Sequence, residues 1–185
     1  MKSNNTVLVA LFAALIVVLS LVPPIPLPAI PVPVTLQTLG AMLAGAMLGP
    51  VRGALACLLY LALAAIGLPV LPGGRGGMGA FLGPTGGFLI GMPIGAFVTG
   101  WLARRLAGRA PGTWAGVAGY AVACVVGGIA VVYACGVPWL ASVAKMDLGK
   151  AALAVAVFVP GDLIKAAVAA WVASRVARVW PMPGR

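Results

Sequence analysis

The segment VPGDLIKAAV sets Asp162 and Lys165 three residues apart at the start of an apolar run. On a helix that spacing puts both side chains on one face. Asp162 is one of only two acidic residues in the chain. An ionisable group in an apolar helix marks a functional site by default, because burying it in lipid is costly. An aspartate in the first turn is favoured by the helix dipole, whereas a lysine there is disfavoured. The lysine set against that field points to a second demand, such as an anionic ligand. The competing reading is an internal ion pair that pins two helices.

Other polar groups sit where apolar segments begin. Arg75 lies in GGRGGMG, and glycines let backbone approach a ligand closely. Gly74-x-Gly76-x-x-Gly79 matches the dinucleotide fingerprint in letters only, without the preceding strand or the acid about 20 residues on. Thr35, Gln37 and Thr38 follow a proline-rich stretch, and Thr85 precedes Gly86 and Gly87. Such groups cap helices, hydrogen-bond between them, or contact a ligand. Tyr60 and Trp139 either stack on a ligand or lie in an aromatic belt, and the belt is the better place for Trp139.

The same inventory excludes several functions. Cys57, Cys124 and Cys135 follow no metal or redox spacing, and there is no histidine, so they read as packing residues. No G-x-x-x-x-G-K-[ST] loop occurs, and no serine or cysteine has an evident base partner. Neither an enzyme nor a cofactor protein is expected. The net charge of +10 comes from basic residues scattered singly between apolar runs, a pattern unlike a nucleic-acid face.

The elements that must carry these groups are membrane helices. Hydrophobic residues make up 63% of the 185-residue chain and charged ones 8%, against about 25% charged in a soluble domain. Spans of about 20 apolar residues fit at 6–22, 35–48, 52–68, 85–103, 113–133 and 160–179, giving a single all-α transmembrane domain of six helices. Residues 148–158 are too short to span and lie in the interface or re-enter. The second and third helices, roughly 21 and 24 Å long, fall short of a hydrocarbon core of about 30 Å. The proline-rich and glycine-rich loops beside them therefore dip in, which is tolerated only where they are buried in protein or line a cavity. Lys2, Arg52, Arg104, Arg105, Arg109, Arg175, Arg178 and Arg185 fall on one side; Arg75, Lys145 and Lys150 fall on the other. Positive residues favour the cytoplasm, so both termini are expected inside the cell membrane and the pocket loops outside.

The blocks PVPVTLQTLGAMLAGAMLGPVRGALACLLYLALAAIGLPV, GGRGGMGAFLGPTGGFLIGMP and VPGDLIKAA resemble the BioY family, the biotin-specific substrate-capture (S) components of energy-coupling-factor transporters. They occupy residues 31 to about 105 and 159–168, in family order; residues 110–158 match only in general character. The resemblance implies a six-helix protein that binds biotin near its outer face. It also implies a membrane coupling protein and a pair of cytoplasmic ATPases as partners. Ala10 and Ala14, spaced for close helix contact, are similar to the family's coupling-protein contact. Biotin carries a ureido ring, an apolar thioether ring and an anionic tail. Asp162 or Gln37 would accept from the ureido N–H groups, and Lys165 and Arg75 are both candidates for the carboxylate or the ureido carbonyl. Thr35 and its neighbours would complete the polar set, and Tyr60 would cover the apolar ring. The alternatives are capture of another vitamin, which would call for more stacking residues, and a self-sufficient secondary transporter, which would show internal repeats.

Overall fold

A computed structural model of the protein describes residues 2–27, 30–107 and 112–180, without the side chains of residues 2–4, 27, 30 and 31. Arg109, Arg185 and the side chain of Lys2, used above to orient the chain, lie outside the described residues. The chain is mostly helical. Helix α1 (Lys2–Leu21) stops just before Pro23-Pro24, where the missing N–H and fixed φ end a helix. The proline-rich stretch then pairs with itself as an antiparallel ribbon, β1 (Ile25–Leu27) with β2 (Ile30–Val34), Ile25 opposite Val34. The all-helical expectation is corrected here: a two-stranded ribbon has only edge strands, which accept proline.

Helix α2 (Gln37–Leu48) turns into α3 (Pro50–Ala65) through Gly49 alone. Gly49 has φ +84°, a left-handed conformation that favours glycine, and Pro50 opens α3 at a first-turn position that needs no N–H. The glycine-rich segment after α3 contains one short helix, α4 (Gly79–Leu82), before α5 (Gly86–Leu106). Helix α6 (Trp114–Cys124) continues through a π-helical segment (Val125–Val131) into α7 (Val132–Val143). Helix α8 (Leu148–Ala156) meets α9 (Val159–Val179) at a 55° bend. The fifth helix thus runs ten residues beyond the expected end at 133, and 148–156 is a helix of its own.

Among the described residues, α5 and the continuous Trp114–Val143 helix are long and apolar enough to cross a membrane, with α8–α9 a third if the bent pair is one span. Three shorter apolar helices, Asn5–Leu21, α2 and α3, complete the bundle.

Helix α5 packs against α2, α3, α6, the π segment and α7. It can do so because Gly87, Gly91 and Gly95 repeat every fourth residue toward Trp139, Val132 and Gly127. A Cβ at Gly91 would lie 3.2 Å from the Val132 Cα, so the backbones touch as small-residue membrane interfaces do. The π segment follows from a second pattern. Gly116, Tyr120, Cys124, Gly128, Val132, Gly136 and Leu140 are all buried, one every fourth residue. A regular helix drifts about 40° at each four-residue step; the wider π turns absorb part of that drift. Val132 and Tyr133 consequently face inward.

Candidate ligand-binding site

The site lies at the end of the bundle where the β ribbon, the glycine-rich segment and the starts of α2, α5 and α9 converge. They enclose a cavity of about 700 Å³, a volume that includes the open space at its mouth. Val32, Pro33, Val34 and Thr35 form one wall; Leu71, Pro72 and Arg75 form another. Phe88, Leu89 and Met92 of α5, Val132 of α7 and Phe158 supply most of the apolar surface. A second small core of Val32, Leu140, Ala151, Val155 and Phe158 backs the ribbon with α7 and α8.

The polar groups concentrate on one side. Lys165 Nζ donates to Asp162 Oδ1 at 2.7 Å, and both residues are buried. The hydroxyl of Thr38, on α2, donates to the same oxygen at 3.4 Å and accepts from Lys165 at 3.4 Å. The hydroxyl of Tyr133, on α7, donates to Asp162 Oδ2. Both carboxylate oxygens are thus engaged, and the pair bridges α2, α7 and α9. The paired arrangement answers why a lysine can occupy the first turns of α9: the aspartate one turn before it offsets the unfavourable dipole. Among the described residues, Gln37 Nε2 meets only the Met92 sulfur, at 3.1 Å. A thioether is a weak acceptor, so the amide keeps most of its hydrogen-bonding capacity for a guest.

Arg75 is at the mouth. Gly73 and Gly74, with φ +77° and +68°, make a tight turn between Leu71 and Arg75, whose backbones exchange hydrogen bonds of 2.9 and 3.2 Å. Gly77 N donates to the Ala64 carbonyl at 2.7 Å and ties the turn to the end of α3. Arg75 Nε donates to the Pro72 carbonyl at 3.1 Å, which leaves the outer nitrogens of its exposed guanidinium facing the opening. Thr85 also lines the cavity, its hydroxyl donating to the Ala80 carbonyl at 3.5 Å.

Of the residues singled out above, Thr35, Gln37, Thr38, Arg75, Thr85, Asp162 and Lys165 share this cavity. Tyr60 and Gly86 do not line it, a correction for both. Tyr60 is fully buried, its hydroxyl 2.7 Å from Ser20 Oγ and donating to the Val70 carbonyl at 3.3 Å. Gly86 is a packing position, where a Cβ would lie 2.9 Å from Trp139 Nε1. Trp139 is partly buried: its indole N–H donates to the Gly83 carbonyl at 2.9 Å and anchors the glycine-rich segment to α7. Tyr133 escaped the sequence reading, since it lies in an apolar stretch and reaches the cavity by way of the π segment. Cys57 and Cys124 are buried and free, and Cys135 is partly buried. Ala10 and Ala14 do not line the cavity: both are on the exposed face of α1, while Phe12, Ala13 and Ile16 face the bundle.

The chain matches the model of the BioY family over residues 1–182. It is 50% identical to a biotin transporter BioY of Rhizobium etli, covering 98% of this chain and 97% of that one. It is also 50% identical to a biotin transporter BioY of Rhodobacter capsulatus, covering 96% and 95%. Among solved structures it is similar to the S-component for biotin from an ECF-type ABC transporter, with a TM-score of 0.88 and 35% identity over 96% of this chain and 92% of that one.

Proposed function

The chain belongs to the BioY family, and from that premise we propose that it captures biotin in this cavity as the substrate-binding component of an energy-coupling-factor transporter. It is a transport protein, as its relatives are. The observation that carries the site is the buried Asp162–Lys165 pair, braced by Thr38 and Tyr133, on the wall of a largely apolar cavity. Burial orders the ends of the ligand. The neutral ureido ring meets the deep groups, with Gln37 and Asp162 accepting from its N–H groups and Lys165 donating to its carbonyl. The thioether ring and aliphatic tail lie on Phe88, Leu89, Met92 and Phe158. The carboxylate, costly to desolvate, stays at the mouth beside exposed Arg75. Thr35 and Thr85 complete the polar rim.

The six crossings are α1, α2 with the ribbon, α3 with the glycine-rich segment, α5, α6 through α7, and α9. The ribbon and the glycine-rich segment re-enter around the cavity, which supplies the buried surroundings such backbone requires. Arg52, Arg104, Arg105, Arg175 and Arg178 gather at the end opposite the cavity, which by the positive-inside bias is cytoplasmic. Both termini are then inside the cell membrane and the cavity opens outward. The exposed Ala10–Ala14 face of α1 receives a helix of the membrane coupling protein, which links the chain to its ATPase pair. Mass spectrometry of small molecules extracted from purified protein tests the ligand: biotin should appear at about one per chain, and riboflavin or thiamin in its place would refute the assignment.

A further inference from the structure

The end of the bundle opposite the cavity holds a feature that ligand capture does not use. The chain has two acidic side chains, and both lie at the cavity end: Asp162 in the cavity wall and Asp147 capping α8. Among the described residues the opposite end therefore carries arginines and no carboxylate side chain. Two of those arginines are held in the same way. The Arg105 guanidinium lies 4.0 Å from the centre of the Trp101 ring at the end of α5. The Arg175 guanidinium lies 5.7 Å from the centre of the Trp171 ring near the end of α9. Each pair is spaced i, i+4, so the two side chains share one helix face, and both distances are within reach of a cation–π attraction.

The rings are turned outward from the bundle, Trp101 41% and Trp171 54% exposed. In a membrane helix such a ring sits at the headgroup level. A guanidinium resting on it keeps its N–H edge free, and among the described residues neither Arg105 nor Arg175 hydrogen-bonds to the protein. Helix α6 and the residues before it pack next to both brackets: Gly119 abuts Leu106, and Gly112 N donates to Ser174 Oγ at 3.2 Å. Two forks of donors beside outward-facing rings, with no competing acid side chain among the described residues at that end, match the geometry by which arginine binds phosphate.

We propose that the Trp101–Arg105 and Trp171–Arg175 brackets bind the phosphodiester headgroups of anionic phospholipids. The lipid is chosen over an acidic protein segment because the rings that hold the arginines face outward at membrane depth, where a headgroup reaches them directly. The site is separate from the biotin cavity and does not depend on it.

The test is the melting temperature of the purified full chain in detergent micelles, with phosphatidylglycerol or phosphatidylcholine of identical acyl chains added. Phosphatidylglycerol should raise melting on the order of 3 °C more than phosphatidylcholine. The variant R105Q/R175Q should lose that difference while biotin affinity, which reports a folded chain, stays at the wild-type value. R105K/R175K, which keeps the charge but not the fork, should retain a smaller preference. Equal shifts with the two lipids, or a preference that survives R105Q/R175Q, would overturn the proposal. So would stabilisation by soluble glycerol phosphate equal to that of the lipid, or by a glutamate-rich peptide where the lipid has no effect. Native mass spectrometry counting phosphatidylglycerol retained per chain gives a second readout, expected to fall in R105Q/R175Q.

Discussion

Lys165 Nζ lies 2.7 Å from Asp162 Oδ1, one turn along the same helix, with both groups buried at the wall of the cavity. A pair so placed can hold helices together, hold a ligand, or both. The two roles separate experimentally. Loss of a hydrogen-bonding partner from a bound polar ligand costs about 1–3 kcal/mol, a roughly tenfold to hundredfold weaker affinity. Asp162→Asn and Lys165→Met should each weaken biotin binding by that factor in protein that still folds. A purely structural pair predicts lowered ligand-free melting with unchanged affinity, since one charge stays buried without its partner. Exchanging the two residues should restore melting more than binding.

Tyr133 and Tyr60 make a matched control. The Tyr133 hydroxyl donates to Asp162 Oδ2 inside the cavity, and the Tyr60 hydroxyl bonds Ser20 and Val70 in the core. A typical hydrogen bond is worth about 0.5–1.5 kcal/mol net. Tyr133→Phe should weaken biotin binding by about twofold to tenfold. Tyr60→Phe should lower the melting temperature and leave affinity unchanged. Biotin titration and melting of both variants check this; the opposite pattern would place the ligand nearer Tyr60.

Much of this site was legible in the sequence, and the physical reason is contrast. A charged pair in an apolar helix stands out, and so does an arginine among glycines, so Asp162, Lys165 and Arg75 were readable. Thr35, Gln37, Thr38 and Thr85 were readable as candidates because polar groups at the starts of apolar helices cap, bond between helices or bind. Tyr60 was misjudged because an aromatic on α3 says nothing of which face it turns inward. Tyr133 was missed for a deeper reason. Its direction depends on the π segment, which a search for 3.6-residue periodicity passes over, although Gly116, Gly128 and Gly136 stand at multiples of four residues in the sequence. The ribbon was hidden similarly: prolines rule out a helix without specifying strand pairing.

The exposed face of α1 predicts a partner effect. Ala10→Trp or Ala14→Trp should block close approach of a neighbouring helix while leaving the cavity, built from other elements, intact. Biotin uptake in cells with the coupling protein and ATPases should fall at least tenfold, and biotin binding by the isolated chain should persist. Loss of binding in the isolated chain would mean that this face serves the fold instead.

Orientation can be read by cysteine labelling in intact cells, with Cys135 replaced by alanine. A cysteine at Gly79 or Gly149, both exposed at the cavity end, should react with an impermeant reagent. A cysteine at Trp114, 87% exposed at the other end, should react only after the membrane is opened. Reaction of the Trp114 position from outside would reverse the topology.

The central claim is that this cavity binds biotin and selects it. The most direct measurement is equilibrium titration of the purified chain with labelled biotin, alone and against excess riboflavin or thiamin, in the wild type and in Lys165→Met. The account predicts saturation at one biotin per chain, no displacement by either vitamin at concentrations that match biotin, and at least about tenfold weaker binding in the variant. Displacement by riboflavin or thiamin, or wild-type affinity in Lys165→Met, would contradict it.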